Sequence, residues 1–444
     1  MPSIEPFRFL HTGDLHLDSP FAGLTGEAPP AVAASLRLAT LESWKRIVDL
    51  ALEEGVDFVV VAGDVFEHAN RTLLAQVRFR DGLARLAAAG IPSFVVTGNH
   101  DPLSGWEAAV AWPELAHRFP ADEVESRPVA RDGREICRVY GISYGVSAVT
   151  ENLSLRFRRD ASAPFTVGLL HANVRGQPGH QPYAPCTIAD LRRSGIDYWA
   201  LGHVHKPGIL STELPTVVYC GNPQGRDPGE AEPRGCWIVD VDAGGRATPR
   251  FHEADAVRWR LLTVPIDELD GEEALIAAIV DRVEAARAEA GRSIVARVTL
   301  VGRGALHASL QRASLPAELR QLAQERLGDG EPFAWIESLR DATRPAVDLA
   351  TAGAPGTFLG ELLIQADDAR EAVSVAPPPG EPLEDDAGEE AAAGLIGWEE
   401  VLDELYGHHR ARRYLRDRRP GPERLAELLG DAERLAVDRL LEAG

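Results

Sequence analysis

The chain has 444 residues, 46 Lys plus Arg and 68 Asp plus Glu, for a formal net charge of −22. That length suggests about two to four domains and a core that needs no disulfide or metal staple to fold. Content of 45% hydrophobic and 26% charged residues is that of an ordinary globular protein, and the excess of acid makes it a poor stand-alone binder of nucleic acid, because phosphate is repelled at long range.

The start, MPSIEPFRFLHTG, has no basic segment followed by an apolar one, so no secretory signal is expected. Apolar runs such as Phe58 to Ala62 are too short to span a bilayer. The four cysteines, Cys137, Cys186, Cys220 and Cys236, form no CxxC pair and read as reduced, mostly buried thiols of a cytoplasmic protein. Lys45 and Lys206 are the only lysines; with the abundant Ala, that reads as base-composition bias.

In chain order, strands are predicted at Phe7–Thr12, Phe58–Ala62, Phe94–Thr97, Thr166–Leu170, Tyr198–Leu201, Val217–Tyr219 and Trp237–Val239. Helices are predicted at Ala31–Glu54 and Arg71–Ala89, the second closed by Gly90 and Pro92. A shorter helix at Ser104–Arg118 would be kinked or split by Pro113. This β-α-β alternation argues an α/β fold with helices over a sheet. A second unit begins near Val257, with strands at Arg258–Val264, Ile294–Leu300 and Phe333–Leu339 and helices at Glu272–Ala290 and Pro316–Leu327. Ile294, Ala296, Val298 and Leu300 share one side of their strand. This is a small α+β domain. Residues 365–390 carry nine acids, one Arg and three consecutive prolines, a composition expected of a solvated linker. Beyond Trp398, Arg410, Arg412, Arg413, Arg416, Arg418 and Arg419 form a basic cluster, and Pro422–Leu441 is amphipathic, with Leu425, Leu428, Leu429, Leu435 and Leu440 at helical spacing. No internal repeat is present.

Five polar segments each follow an apolar strand: Gly13-Asp14-Leu15-His16, Gly63-Asp64, Gly98-Asn99-His100-Asp101, the single His171, and Gly202-His203-Val204-His205. In open α/β sheets, ligands sit beyond the carboxyl ends of the strands, so these loops would converge on one edge. They bring Asp, His and Asn with no thiolate, which suits Mn²⁺, Fe²⁺, Zn²⁺ or Mg²⁺. The D-x-H and H-x-H spacings put two side chains on one side of an extended segment. Any one of these segments alone reads as a turn; the ordered set reads as a dinuclear metal site.

D-x-H, GD, GNHD, a lone His and GHxH in this order resemble the signature of the calcineurin-like metallophosphoesterases, over about residues 7 to 240. Within that superfamily, HTGDLHLDSPF, GHQPYAPC, IDYWALGHVHKP and YCGNPQGRDPGE resemble the SbcD-type DNA repair exonucleases, and most of all their YhaO-like bacterial branch. The resemblance implies an α/β protein built as a metallophosphoesterase β-sandwich flanked by helices, with a smaller α+β capping domain and a helical C-terminal tail. The corresponding domains are residues 1–255 for the nuclease, 256–362 for capping and DNA access, 363–396 for the linker and 397–444 for partner docking.

The resemblance also assigns roles. Asp14, His16 and His205 would hold one divalent ion, Mn²⁺ first. Asn99, His171 and His203 would hold a second, and Asp64 would bridge the two. A metal-bridging hydroxide would attack phosphorus. His100 would stabilise the transition state or protonate the leaving oxygen, oriented by Asp101. Many of these nucleases have a DNA-placing His three residues after the bridging Asp; here Glu67 stands there and His68 follows, and His68 is either a shifted substitute or an exposed loop residue. Asn222, Gln224 and Arg226 match a loop beside the active site and either contact substrate phosphate or form a polar turn. Trp106 and Trp112 belong either to a homodimer face or to a plain core helix, and the C-terminal helix either docks on an SMC-like coiled-coil ATPase or packs on its own chain. The function implied is DNA repair exonuclease action on DNA ends, with no membrane partner. The alternatives are a phosphodiesterase or phosphatase for small nucleotides, and a scaffold that regulates a partner ATPase.

Overall fold

The computed structural model describes residues 4–24, 28–67, 71–105, 108, 110–174, 181–346 and 358–375, with eight residues between 428 and 437. They fall into two compact units. The first comprises Met1–Val264, Gly271–Leu300 and Arg312–Ala342.

Its first half is two six-stranded sheets packed face to face. The elements in chain order are β1 (Phe7–Thr12), α1 (Pro30–Glu53), β2 (Phe58–Ala62), α2 (Leu73–Ala88), β3 (Ser93–Val96), β4 (Ala116–Arg118), β5 (Glu125–Arg131), β6 (Arg134–Gly141), β7 (Thr166–His171), α3 (Ile188–Arg193), β8 (Tyr198–Gly202), β9 (Gly208–Ser211), β10 (Thr216–Tyr219), β11 (Gly235–Val241) and β12 (Ala247–Glu253). One sheet has the order β12-β11-β1-β2-β3-β4 and the other β5-β6-β7-β8-β10-β9. β1 to β4 run parallel, as do β6, β7, β8 and β10.

The period-2 alternation of these strands builds the layers. Phe58, Val60 and Ala62 join Phe9, Val96, Val167, Leu169 and Ala200 in the core between the sheets. Val59 and Val61 turn outward against Trp44, Val48, Phe79 and Leu83 of α1 and α2. The other sheet buries Leu170, Trp199 and Leu201 with Leu153, Phe157 and Leu191. The expected sandwich flanked by helices is what forms.

The second half of this unit contains β13 (Val257–Pro265), α4 (Glu272–Ala290), β14 (Ser293–Val301), α6 (Leu315–Leu327) and β16 (Ala334–Asp341); between β14 and α6 lie β15 (Arg303–Gly304) and α5 (Leu306–Leu310). The sheet order is β13-β14-β16, with β14 and β16 parallel. Ile294, Ala296, Val298 and Leu300 are all fully buried, as their alternation requires. Val295, on the opposite face, packs with Val257, Trp259 and Trp335 against Val32, Leu36 and Ala39 of α1. The second unit comprises Pro265–Asp270, Val301–Gln311 and Thr343–Gly444. In it, β15 pairs in parallel with β17 (Arg344–Pro345), and a helix, α7, spans Phe358–Val375.

Two expectations need correction. The helix expected at Ser104–Arg118 does not form among the described residues. Pro113 has no N–H to give to a helix, and the chain beyond it joins the sheet edge instead: Ser93 N–H donates to Leu115 O at 2.9 Å and Phe119 N–H to Val95 O at 3.0 Å. Trp112 packs edge-on against Phe79 of α2, with Arg118 over its other side; Trp106 lies outside the described residues. Of the linker expected at 363–396, residues 363–375 lie in α7, and 376–396 lie outside the described residues. The arginine cluster lies outside the described residues, whereas Leu429 and Val437 of the tail are helical and buried and Leu428 and Leu435 are exposed. All four cysteines are free and buried. Among the described residues no helix is long and apolar enough to cross a membrane.

Candidate metal centre

The loops after β1, β2 and β3 of one sheet and the ends of β7 and β8 of the other meet at one edge of the sandwich. Backbone conformation marks the place. Asp14, His16, Asp64 and His203 all have positive φ, at 48°, 42°, 48° and 96°, a region that side-chain-bearing residues enter only where the surroundings compel it. Gly98 is required by crowding: a Cβ there would strike Asp64 Oδ1.

The side chains sort into two groups joined by Asp64. In the first, His16 Nε2 and His205 Nε2 lie 3.1 Å apart, and Asp64 Oδ2 is 4.0 Å from His16 Nε2. Asp14, His16 and His205 each offer a ligand atom there. In the second, His171 Nε2 lies 3.3 Å from Asp64 Oδ2 and 3.0 Å from Asn99 Oδ1, while Asn99 Oδ1 is 3.2 Å from His203 Nδ1. The residues brought together in each group are those that the resemblance assigns to one ion or the other. Asp14 Oδ1 also lies 3.8 Å from His171 Nδ1, so both carboxylates sit between the groups.

Each histidine is held through its other nitrogen, and that contact fixes the orientation of the ring. His171 Nδ1 is 2.9 Å from Ala62 O, His203 Nε2 is 2.9 Å from Gln181 O, and His205 Nδ1 is 2.7 Å from Glu230 Oε1. His16 Nδ1 is 3.0 Å from Glu67 Oε2. Donation to these oxygens turns His16 Nε2 and His205 Nε2 toward one another, and His171 Nε2 and His203 Nδ1 toward Asn99 Oδ1. Four imidazole nitrogens, two carboxylates and one amide oxygen fit two divalent ions.

Electrostatics agree. Burial lowers His16 to about 3, reinforced by Arg226, so it is neutral and ready to ligate. Burial opposes charge on His171 too, but Asp64 and Asp14 outweigh it and raise this residue to about 9. Asp64 stays ionised despite its burial, because His171, His16 and His100 surround it. A proton on His171 thus balances carboxylate charge that a metal ion would otherwise balance.

His100 is the more exposed member of the cluster. Its backbone N–H donates to Asp64 Oδ1 at 2.9 Å, and its Nδ1 lies 2.5 Å from Glu67 Oε1. Asp101 is not its partner. Buried Asp101 accepts from the backbone N–H groups of Gly98 at 2.7 Å, Val65 at 2.8 Å and Asp64 at 3.2 Å. It clamps two ligand loops together and leaves the orienting of His100 to Glu67. The Glu67 hydrogen bond raises the pKa of His100. Burial would raise Glu67 in turn, but His100 and His16 hold it well below the usual carboxylate range. Arg226 Nη1 lies 3.6 Å from the Glu67 Oε2 that His16 uses.

Asn222 and Gln224 do not face this site. Asn222 Nδ2 donates to Gln224 O, and its Oδ1 accepts from Arg234. Gln224 Nε2 donates to Val257 O at 2.6 Å and its Oε1 accepts from Ala256 N–H at 2.8 Å. Both side chains are buried and spent on backbone and on Arg234, which rules out the phosphate contact expected of them. His68 lies outside the described residues. Sequence reasoning missed Glu230, which holds His205 and is itself lowered to about 2, burial being outweighed by His205 and Arg226. It also missed Arg234, whose guanidinium donates to His205 O. No local spacing signals either, since both lie more than twenty residues beyond His205.

Residues 7–207 match the family model for calcineurin-like phosphoesterases, and residues 259–344 match that for the middle domain of the metallophosphoesterase YhaO. The chain is 37% identical over 341 residues to an uncharacterized metallophosphoesterase, YhaO, of Bacillus subtilis, covering 77% of this chain and 83% of that one. It is 29% identical over 242 residues to the DNA double-strand break repair protein Mre11 of Haloferax volcanii, covering 52% of this chain and 49% of that one. The SbcD component of the B. subtilis nuclease SbcCD is 26% identical over 282 residues, covering 54% of this chain and 68% of that one. The chain belongs to the calcineurin-like metallophosphoesterases, in the group that carries the YhaO middle domain.

Proposed function

We propose that this metallophosphoesterase is a DNA repair exonuclease that hydrolyses phosphodiester bonds at DNA ends with two Mn²⁺ ions and works with an SMC-like coiled-coil ATPase. The observation that carries the hydrolytic part is the double ligand set joined by Asp64, with His100 at its open side. Relatives named as break-repair and nuclease proteins support DNA as the substrate.

When bound, two divalent ions would supply an activated water and offset charge on the phosphoryl oxygens. The residues do the rest. Asp14, His16 and His205 would hold one ion and Asn99, His171 and His203 the other, with Asp64 available to both. Glu67 takes the Nδ1 proton of His100 in a hydrogen bond and favours its charged form, so His100 Nε2 carries a proton for the departing sugar oxygen. Arg226 faces the incoming phosphate as a guanidinium donor. No side-chain nucleophile is needed.

The test is a Mn²⁺-dependent assay on linear duplex DNA, single strands and a phosphodiester reporter, with and without a coiled-coil ATPase. DNA degradation supports the proposal. Reporter hydrolysis with intact DNA in every combination favours a small-nucleotide phosphodiesterase instead, and no hydrolysis of any substrate favours a scaffold.

A further inference from the structure

The β1–α1 loop leaves the metal centre at His16 and runs to the middle domain. There Phe21 stacks on Trp259 of β13, with ring centroids 6.4 Å apart. Arg297 of β14 lies over the same indole at 5.7 Å and donates through Nη2 to Gly23 O at 3.0 Å. The guanidinium is fixed from its other side: Nε donates to Glu337 Oε2 at 3.0 Å, and the Glu337 side chain is fully buried. The loop passes the constraint on. Gly23 sits at φ +69°, and a Cβ there would come within 2.9 Å of Pro228 Cδ. Its neighbour Ala22 donates its N–H to Arg226 O at 2.7 Å. Arg226 N–H donates in turn to Glu230 Oε2 at 2.8 Å, and its Nη1 faces Glu67. A chain of contacts therefore joins a middle-domain arginine to the Arg226 guanidinium beside the His16–Glu67–His100 cluster.

We propose that Arg297 is a positioning residue for substrate phosphate: by gripping Gly23 it sets the place of Arg226. The middle domain is then part of the active site, although none of its side chains needs to touch substrate. Arg297 makes a charge-assisted bond to a backbone carbonyl, a strong contact in a geometry that only a planar, fixed guanidinium provides. The coupling runs through packed and hydrogen-bonded groups, the physical kind of connection that can move a distant side chain. This inference rests on the reading of Arg226 as a phosphate contact.

The experiment uses the full chain loaded with Mn²⁺ and the reporter bis(p-nitrophenyl) phosphate. Arg226→Ala should raise KM about tenfold, the loss of one charge-assisted hydrogen bond. Arg297→Met paired with Glu337→Gln removes both charges together, so no buried carboxylate is stranded. It should raise KM about fivefold and change kcat less than about twofold. Combined with Arg226→Ala it should add nothing, because both act through one group. Arg297→Lys should recover part of the loss. A raised KM in Arg226→Ala with an unchanged KM in the paired variant overturns this inference alone, as do additive effects. An unchanged KM in Arg226→Ala overturns the reading of Arg226 and this inference with it. Should the paired variant not fold, Gly23→Ala displaces the same loop from outside the middle domain, and the same rise in KM is expected; an unchanged KM there overturns the inference.

Discussion

Two neighbouring loop systems of this protein have similar polar composition and opposite uses. The candidate ligand loops after β1, β2 and β8 are backbone-strained, and their side chains and those of the loop after β3 face one another. The loop 222–230 has buried Asn222, whose side chain binds Gln224 O and Arg234, and buried Gln224, whose side chain satisfies backbone groups of Ala256 and Val257. Both kinds of residue are buried and hydrogen-bonded, so burial alone does not separate a ligand from a staple. The separation comes from where the polar atoms face. Each candidate ligand histidine turns one nitrogen toward another member of the cluster after its second contact is made, whereas every polar atom of Gln224 is spent on backbone.

That contrast can be broken experimentally. The largest effect is expected at Asp64, which both ligand groups share. Asp64→Ala should reduce bound Mn²⁺, measured by elemental analysis after gel filtration, and cut reporter hydrolysis at least ~1,000-fold, the scale of a lost metal-ion catalyst. Next come the two acids around His100. Glu67→Gln should keep both ions and lower kcat about 100-fold, within the range for loss of a tuned general acid. Asp101→Asn should act through the loops, lowering thermal stability and metal loading together, since it exchanges a triple acceptor for a group with fewer lone pairs on offer. Equal behaviour of the two variants would erase the distinction between an orienting and a clamping carboxylate.

Much of the ligand set was legible in the sequence, because D-x-H, GD, GNHD and GHxH place chemistry directly after strands of period-2 alternation. The edge elements were less so. The hairpin β5–β6 turns on Asp132-Gly133, both in left-handed conformations at φ 51° and 74°, a signal the sequence carries although neither strand was among those predicted. The partners of the ligands were not legible. Glu230 reaches His205 across 25 positions and Arg234 across 29, distances that only the fold closes. Asp101 illustrates a different limit: the resemblance implied a partnership with His100, but three converging backbone N–H groups compete for its oxygens and win.

A smaller effect concerns pH. His171, raised to about 9 in the metal-free protein, must lose its proton to ligate, so metal displaces a proton below that pH. The apparent affinity for Mn²⁺ should therefore rise from pH 6 toward pH 9 and level off above it, measured by calorimetric titration in buffers of differing ionisation enthalpy. A flat affinity profile would argue against His171 as a ligand. The smallest catalytic effect is expected at the staple. Gln224→Ala should cost about 1–3 kcal/mol of stability through unpaired buried backbone groups and leave the KM for the reporter unchanged; a raised KM would return Gln224 to the substrate-binding surface.

The most direct measurement compares linear duplex DNA with covalently closed circular DNA of the same sequence, in Mn²⁺, with the coiled-coil ATPase present and Asp64→Ala as the control. Shortening of the linear duplex, an intact circle and an inert Asp64→Ala are the expected result. Reporter hydrolysis by the same preparation with the linear duplex left whole would contradict action on DNA ends.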